Sequence, residues 1–156
     1  GLMASELAAA IGPDDLVKIS RYDTTLKAYK TYLPGIASTD FEIELGVGYF
    51  VVTRADVVFT LIGDLPANAV GALAGGVNIM GYTELAPTTA SELASSIVGA
   101  KVLKISYYDP ETGKYKSFLP GINKVGSIYD FTVTQGRAYF VVTDGAASVY
   151  FAQASA

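Results

Sequence analysis

Hydrophobic and polar positions alternate with period two over two stretches of closely similar spelling, Leu16-Val17-Lys18-Ile19-Ser20-Arg21-Tyr22-Asp23 and Val102-Leu103-Lys104-Ile105-Ser106-Tyr107-Tyr108-Asp109, which predicts a half-buried strand in each. Val17 and Ile19, with Leu103 and Ile105, form the expected core face. Lys18, Ser20 and Tyr22, with Lys104, Ser106 and Tyr108, form the opposite one. Asp23-Thr24-Thr25-Leu26-Lys27-Ala28 and Asp109-Pro110-Glu111-Thr112-Gly113-Lys114 then read as turns, the second from Pro and Gly. Hairpin partner strands are expected at 29–33 and 115–119, where Pro34-Gly35 and Pro120-Gly121 stop the ladder. Phe41-Glu42-Ile43-Glu44-Leu45 and Phe131-Thr132-Val133-Thr134 alternate again. Tyr49-Phe50-Val51-Val52 and Tyr139-Phe140-Val141-Val142 are apolar on both faces, the pattern of central strands. A closing strand is expected at 57–62 and at 148–152.

Two stretches carry a helical period instead. Ala4-Ser5-Glu6-Leu7-Ala8-Ala9-Ala10-Ile11 and Ala90-Ser91-Glu92-Leu93-Ala94-Ser95-Ser96-Ile97 each place apolar residues four apart, on one face of a short helix. Thr89 precedes Glu92 by three, the spacing of a capping box, whereas Met3 takes that place in the first copy. The chain therefore reads as α+β, mainly β, with two tandem homologous units. Each is expected to be an antiparallel β-sandwich or barrel-like sheet of five to six strands with one short helix. The expected limits are 1–64 for the first unit, 65–75 for a linker and 76–156 for the second. Gly76-Val77-Asn78-Ile79-Met80-Gly81-Tyr82-Thr83 reads as a strand leading into the second helix, and the first copy has no equivalent. Either the chain comes from a longer protein or that strand is supplied from elsewhere.

Composition narrows the function classes. Apolar residues make up 51% of the 156 and charged residues 17%, enough for a core but leaving Thr, Ser, Tyr and Ala to cover much surface. A net charge of −4 argues against general nucleic-acid binding. With no Cys there is no disulfide framework and no thiol chemistry. The stretch 65–83 carries no charge, but its Pro, Asn and Gly residues interrupt it, so no membrane span is expected. Glu6, Asp14 and Asp15 break any apolar run that could resemble a signal peptide, so a secreted form would be a mature or excised chain.

Candidate chemistry is sparse. The absence of His removes the commonest general base and most zinc sites. Lys18 with Ser20, and Lys104 with Ser106, stand roughly 7 Å apart along a strand, a poor geometry for a nucleophile and its base. The acids present in both copies, Glu6 and Glu92, Asp23 and Asp109, Asp40 and Asp130, each have a local duty in a first helical turn, a hairpin corner or a loop before a strand. The stretch 109–113 lacks the alternating ligands of a calcium loop, and Gly46-Val47-Gly48 leads into a strand rather than a phosphate-binding helix. No catalytic residue, metal ligand or cofactor is therefore expected. Tyr offers flat apolar faces with a hydroxyl, so the interaction face expected is Lys18, Ser20, Tyr22, Tyr29, Lys104, Ser106, Tyr108 and Tyr115. Tyr32, which is Phe118 in the other copy, is assigned to the core.

The ordered set Gly76-Val77-Asn78-Ile79-Met80-Gly81-Tyr82, the Ala-Ser-Glu-Leu-Ala helices, Lys-Ile-Ser-x-Tyr-Asp, Leu-Pro-Gly, Asp-Phe and Gly-x-x-Tyr-Phe-Val resembles tandem β-rich repeats of secreted and cell-surface proteins of archaea and bacteria, S-layer-associated and adhesin-like. Where that pattern has Trp before the Asn, this chain has Val77. The resemblance implies a non-enzymatic extracellular module doing structural or adhesive work, with other protein subunits, neighbouring modules of the same surface protein or glycans as partners. It assigns no catalytic or binding residue. Two alternatives stand beside it: a self-assembling filament or sheath subunit that takes a donated strand into its first repeat, and a carbohydrate-binding module using the Tyr/Lys/Ser face.

Overall fold

The computed structural model of the chain describes residues 1–60 and 68–152. It is mainly β, with antiparallel sheets and two short helices, and it divides into two compact units, Gly1–Asp64 and Leu65–Ala156. No sheet closes into a barrel among the described residues.

The first unit runs α1 (Ala4–Ile11), β1 (Leu16–Asp23), β2 (Ala28–Tyr32), a 3-10 turn at Ala37–Thr39 and β3 (Tyr49–Thr53). Its sheet has the order β2-β1-β3. Leu7 and Ile11 of α1 pack with Leu16, Ile19 and Tyr32 in one apolar cluster, which Phe41, Ile43 and Tyr49 border. The expected core face is corrected here. Leu16 is 1% exposed and Val17 38%, because β1 carries a bulge between Leu16 and Lys18 against β3. One extra residue on the bulged strand reverses the in/out phase at that point. Residues 41–45 form no strand, only an isolated bridge between Met3 and Glu42. Nor do residues 57–60 of the expected closing strand, whose last two positions lie outside the described residues.

The second unit contains β4 (Asn68–Leu73), β5 (Gly76–Gly81), β6 (Thr88–Thr89), α2 (Ala90–Ser96), β7 (Ile97–Val98), β8 (Val102–Asp109), β9 (Lys114–Phe118), β10 (Thr132–Val133), β11 (Ala138–Thr143) and β12 (Ala147–Ala152). They form a four-stranded sheet, β5-β11-β8-β9, a three-stranded sheet, β4-β12-β7, and a two-stranded ribbon of β10 and β6. Tyr139, Val141, Ile105, Val133, Val149 and Phe151 sit in the core, with Leu93 of α2 among them. Three expectations change. The stretch 65–75 is not a linker throughout, since β4 lies in it and pairs with β12 from Asn68↔Ala152 to Leu73↔Ala147. Ile97 leaves the helix and pairs with Val149. The bulge recurs, so Val102 is buried and Leu103 exposed.

The pairing geometry is the same in both units. Ile19↔Tyr32 through Asp23↔Ala28 corresponds to Ile105↔Phe118 through Asp109↔Lys114. Phe50↔Ser20, Val51↔Ile19, Val52↔Lys18 and Thr53↔Leu16 correspond to Phe140↔Ser106, Val141↔Ile105, Val142↔Lys104 and Thr143↔Val102. Aromatic and β-branched residues favour the extended backbone, and the pairs Tyr22↔Tyr29 and Tyr108↔Tyr115 bring rings together across each hairpin.

Candidate functional site

Residues two apart on a strand share a face, so Lys18, Ser20 and Tyr22 line up beside Tyr29 and Thr31 of β2 and Phe50 of β3. The rings form an edge-to-face series: Tyr22 and Tyr29 at 5.3 Å, Tyr29 and Phe50 at 6.1 Å. In the second unit Tyr108 and Tyr115 lie 5.4 Å apart, and Tyr115 and Phe140 5.5 Å. Tyr29 and Tyr115 are 52% and 56% exposed, so each series has one broad aromatic surface open to solvent. Lys18 and Lys104 are exposed at the end of the row. Ser20 and Ser106 are not part of any open surface. Both are buried, and their hydroxyls bond across the hairpin to Thr31 Oγ1 at 2.9 Å and Ser117 Oγ at 3.0 Å. Cross-strand neighbours cover these short side chains while the longer Lys and Tyr reach past them.

The acids shared by the two units hold the fold at equivalent places. Asp40 accepts from Ser5 N–H at 3.0 Å and Ser5 Oγ at 2.6 Å. Asp130 accepts from Ser91 N–H at 2.8 Å, Ser91 Oγ at 2.7 Å and Gly126 N–H at 2.8 Å. Each clamps the first turn of a helix to the loop ahead of the next strand region. The Ser5 hydroxyl leads in holding the Asp40 carboxyl below its usual range; at Asp130 partial burial pushes upward, and the bonds from Gly126 and Ser91 outweigh it. Glu92 accepts from Thr88 Oγ1 at 2.8 Å and Thr89 N–H at 3.0 Å, completing the capping box with Thr89. Glu6 keeps its half of that box, accepting from Met3 N–H at 2.8 Å. Asp23 pairs with Lys30 at 2.7 Å and Asp109 with Lys116 at 3.1 Å. The Lys30 ammonium, helped by the Leu26 N–H, lowers the Asp23 carboxyl to about 2.

Identical residues meet different surroundings at β3 and β11. Tyr-Phe-Val-Val-Thr forms the core of both strands, yet Val141 is 0% exposed and Val51 38%. Val141 belongs to the core cluster that includes Val149 and Phe151 of β12, and its strand has a neighbour on each side. Strand β11 lies between β8 and β5, pairing with β5 from Ala138↔Gly81 to Thr143↔Gly76. Among the described residues β3 pairs with β1 alone, so the central position expected for it is corrected to an edge. Covering Val51 as Val141 is covered would contribute roughly 0.5–1 kcal/mol by the apolar area involved. The Val141 carbonyl faces β5, where Asn78 Nδ2 donates to it at 3.3 Å. Since the N–H and C=O of a strand residue point to the same side, the equivalent register turns both groups of Val51 toward the open edge.

Asn78 is the residue that sequence reasoning missed. It is buried; its Oδ1 accepts from Ala74 N–H at 2.8 Å, and its Nδ2 donates to Ala74 O at 2.8 Å and Gly76 O at 3.3 Å besides Val141. Thr143 Oγ1 also donates to Ala74 O, at 3.0 Å. The turn between β4 and β5, with Gly76 at φ +97°, is thereby fastened to β11. A lone Asn inside an apolar strand, four residues after Ala74 across Gly75-Gly76, is the signal that could have found it. Two further surface features lie in the second unit. The longer loop of the second unit exposes Ile122, Val125, Ile128 and Tyr129, and an open depression beside α2 is lined by Ser91, Ala94, Lys101, Phe118, Pro120 and Asn123. Among the described residues no three His, Cys, Asp or Glu side chains are grouped as metal ligands, and no helix is long and apolar enough to cross a membrane. Comparison with protein-family models, with curated proteins and with solved structures finds no match.

Proposed function

We propose that the chain is a structural or adhesive module of the cell surface, built of two homologous tandem units and working through surface contacts instead of catalysis. The observation that carries this reading is the use of the shared acids. Asp40 and Asp130 clamp a helix start in the same way, and Asp23 and Asp109 each hold a lysine across a hairpin. A carboxylate that is fully engaged by structural donors is poorly placed to transfer protons or attack a substrate. The extracellular setting rests on the resemblance to secreted and surface repeats. Asp40→Asn and Asp130→Asn, made together, should lower thermal stability and remove no activity in a panel of glycan and peptide turnover assays. A turnover present in the native chain and lost in a variant that still folds would overturn the reading.

A second reading is favoured by the aromatic series. Tyr22 and Tyr29, with Tyr108 and Tyr115, offer ring faces of the kind that stack on sugars. On a glycan array, binding should fall with Tyr29→Ala and Tyr115→Ala. An array without hits, or hits indifferent to both changes, removes it.

A further inference from the structure

We infer that the outer edge of β3 is a binding site for an extended strand–turn–strand segment with the chemistry of residues 68–81, contributed by another unit of this kind. The inference deepens the structural reading above by naming its partner. The second unit shows how a Tyr-Phe-Val-Val-Thr strand is covered: β5 adds antiparallel to β11, β4 turns back to pair with β12, and Asn78 locks the turn between them onto the Val141 carbonyl. The first unit presents the same strand, in the same register on its inner side, with Val51 and Val52 exposed. Val58 and Phe59, which occupy the sequence positions equivalent to the start of β12, are likewise exposed and outside any strand. Among the described residues, the edge that β5 covers in the second unit is thus open in the first, and residues 57–60 pair with no strand.

The occupant is defined by chemistry. Backbone groups of the added strand meet the N–H and C=O of Val51, which supplies affinity without sequence preference. Selectivity comes from a Gly-x-Asn pattern, because the Asn amide is the one side chain of β5 that bonds its own turn and the acceptor strand together. A strand lacking that Asn leaves its turn unfastened. Unpaired edges of this type are otherwise blunted by charge or proline, and β3 has neither between Tyr49 and Thr53.

The test uses the full chain, isotopically labelled, titrated with a synthetic peptide of the sequence 68–83 and followed by amide NMR. The expected result is saturable shifts and slowed hydrogen exchange at Val51 and its neighbours in β3. The peptide with Ala in place of the Asn should bind about tenfold more weakly, the loss of one to two hydrogen bonds. In the protein, Val51→Pro should abolish binding, since it deletes an edge N–H; an outward N–H is the strand position at which proline is tolerated. No perturbation of β3 at about 1 mM peptide, equal affinity for the Asn and Ala peptides, or perturbation confined to Ala138–Thr143 would each overturn the inference. The peptide comparison decides the matter even if Val51→Pro fails to fold. Absence of binding leaves the non-catalytic reading standing, and a turnover lost in the carboxylate variants would sink that reading without touching this one.

Discussion

Replacing Asn78 tests how a buried amide fastens one strand pair to the sheet. Its Nδ2 has two hydrogens for three carbonyls, at 2.8, 3.3 and 3.3 Å, while its Oδ1 takes the Ala74 N–H at 2.8 Å. In Asn78→Ala the Ala74 N–H loses that acceptor, whereas Ala74 O keeps the Thr143 hydroxyl. Orphaning one donor and removing two donated bonds should cost about 2–4 kcal/mol. For a unit of this size that corresponds to a fall on the order of 10–20 °C in its melting temperature. Asn78→Asp sharpens the test. An aspartate still accepts from Ala74 N–H, but its second oxygen meets only carbonyls, so the charge is buried against acceptors. At neutral pH it should therefore be more destabilising than Ala. Its folded pKa would be raised by that surrounding, so its stability is greatest at low pH and is lost as pH rises through the raised value. Urea unfolding of both variants, monitored at amides of β5 and β11, gives the order. Asn78→Asp being tolerated better than Asn78→Ala at neutral pH, or a loss below about 1 kcal/mol for the Ala variant, would refute the assignment of this amide as the fastening.

Three smaller changes follow from differences between the units. Met3→Thr should complete the capping box that Glu6 half forms, raising stability by about 0.5–1 kcal/mol in thermal melts. Among the described residues Lys27 is the non-glycine residue with positive φ, at 52°, where the second unit has Gly113 at 65°. Lys27→Gly should be neutral to mildly stabilising and Gly113→Lys destabilising by about 1–2 kcal/mol, so equal effects of the two would contradict the turn assignment. Asp23, its carboxyl lowered to about 2, should titrate well below a free aspartate in carboxyl NMR. Because the folded value is the lower one, its stabilisation is present above the unfolded value near 4 and disappears as pH falls toward about 2. Lys30→Ala should move the midpoint up; an unchanged midpoint would show that Lys30 is not the principal cause.

The two hairpins were legible because alternation, turn residues and Pro-Gly stops agree with one another over 16–33 and 102–119. The phase at their start was not. Leu16 and Val17, like Val102 and Leu103, are adjacent apolar residues that satisfy either face, and only the bulge against the third strand decides between them. The β4 segment has the composition of a linker, with Ala and Gly prominent in it; its extended state comes from pairing with β12, a tertiary effect that local propensity does not carry. The interaction face was half legible. Spacing put Ser20 and Ser106 beside the tyrosines, but no pattern distinguishes a short side chain roofed by its neighbours from one open to solvent. Tyr-Phe-Val-Val reads as a central strand in both copies, and is central in one, since burial depends on who lies alongside.

The Ser5–Asp40 and Ser91–Asp130 clamps join positions 35 and 39 residues apart in a chain that has no cysteine. That is a loop length over which small exported domains commonly set a covalent cross-link to shrink the freedom of the unfolded chain. Here the staple is a carboxylate gripping a backbone amide and a hydroxyl, so it needs no oxidant to form and no reductant opens it. Its release agent is the proton. The clamps therefore hold across reducing and oxidising surroundings and weaken in strong acid.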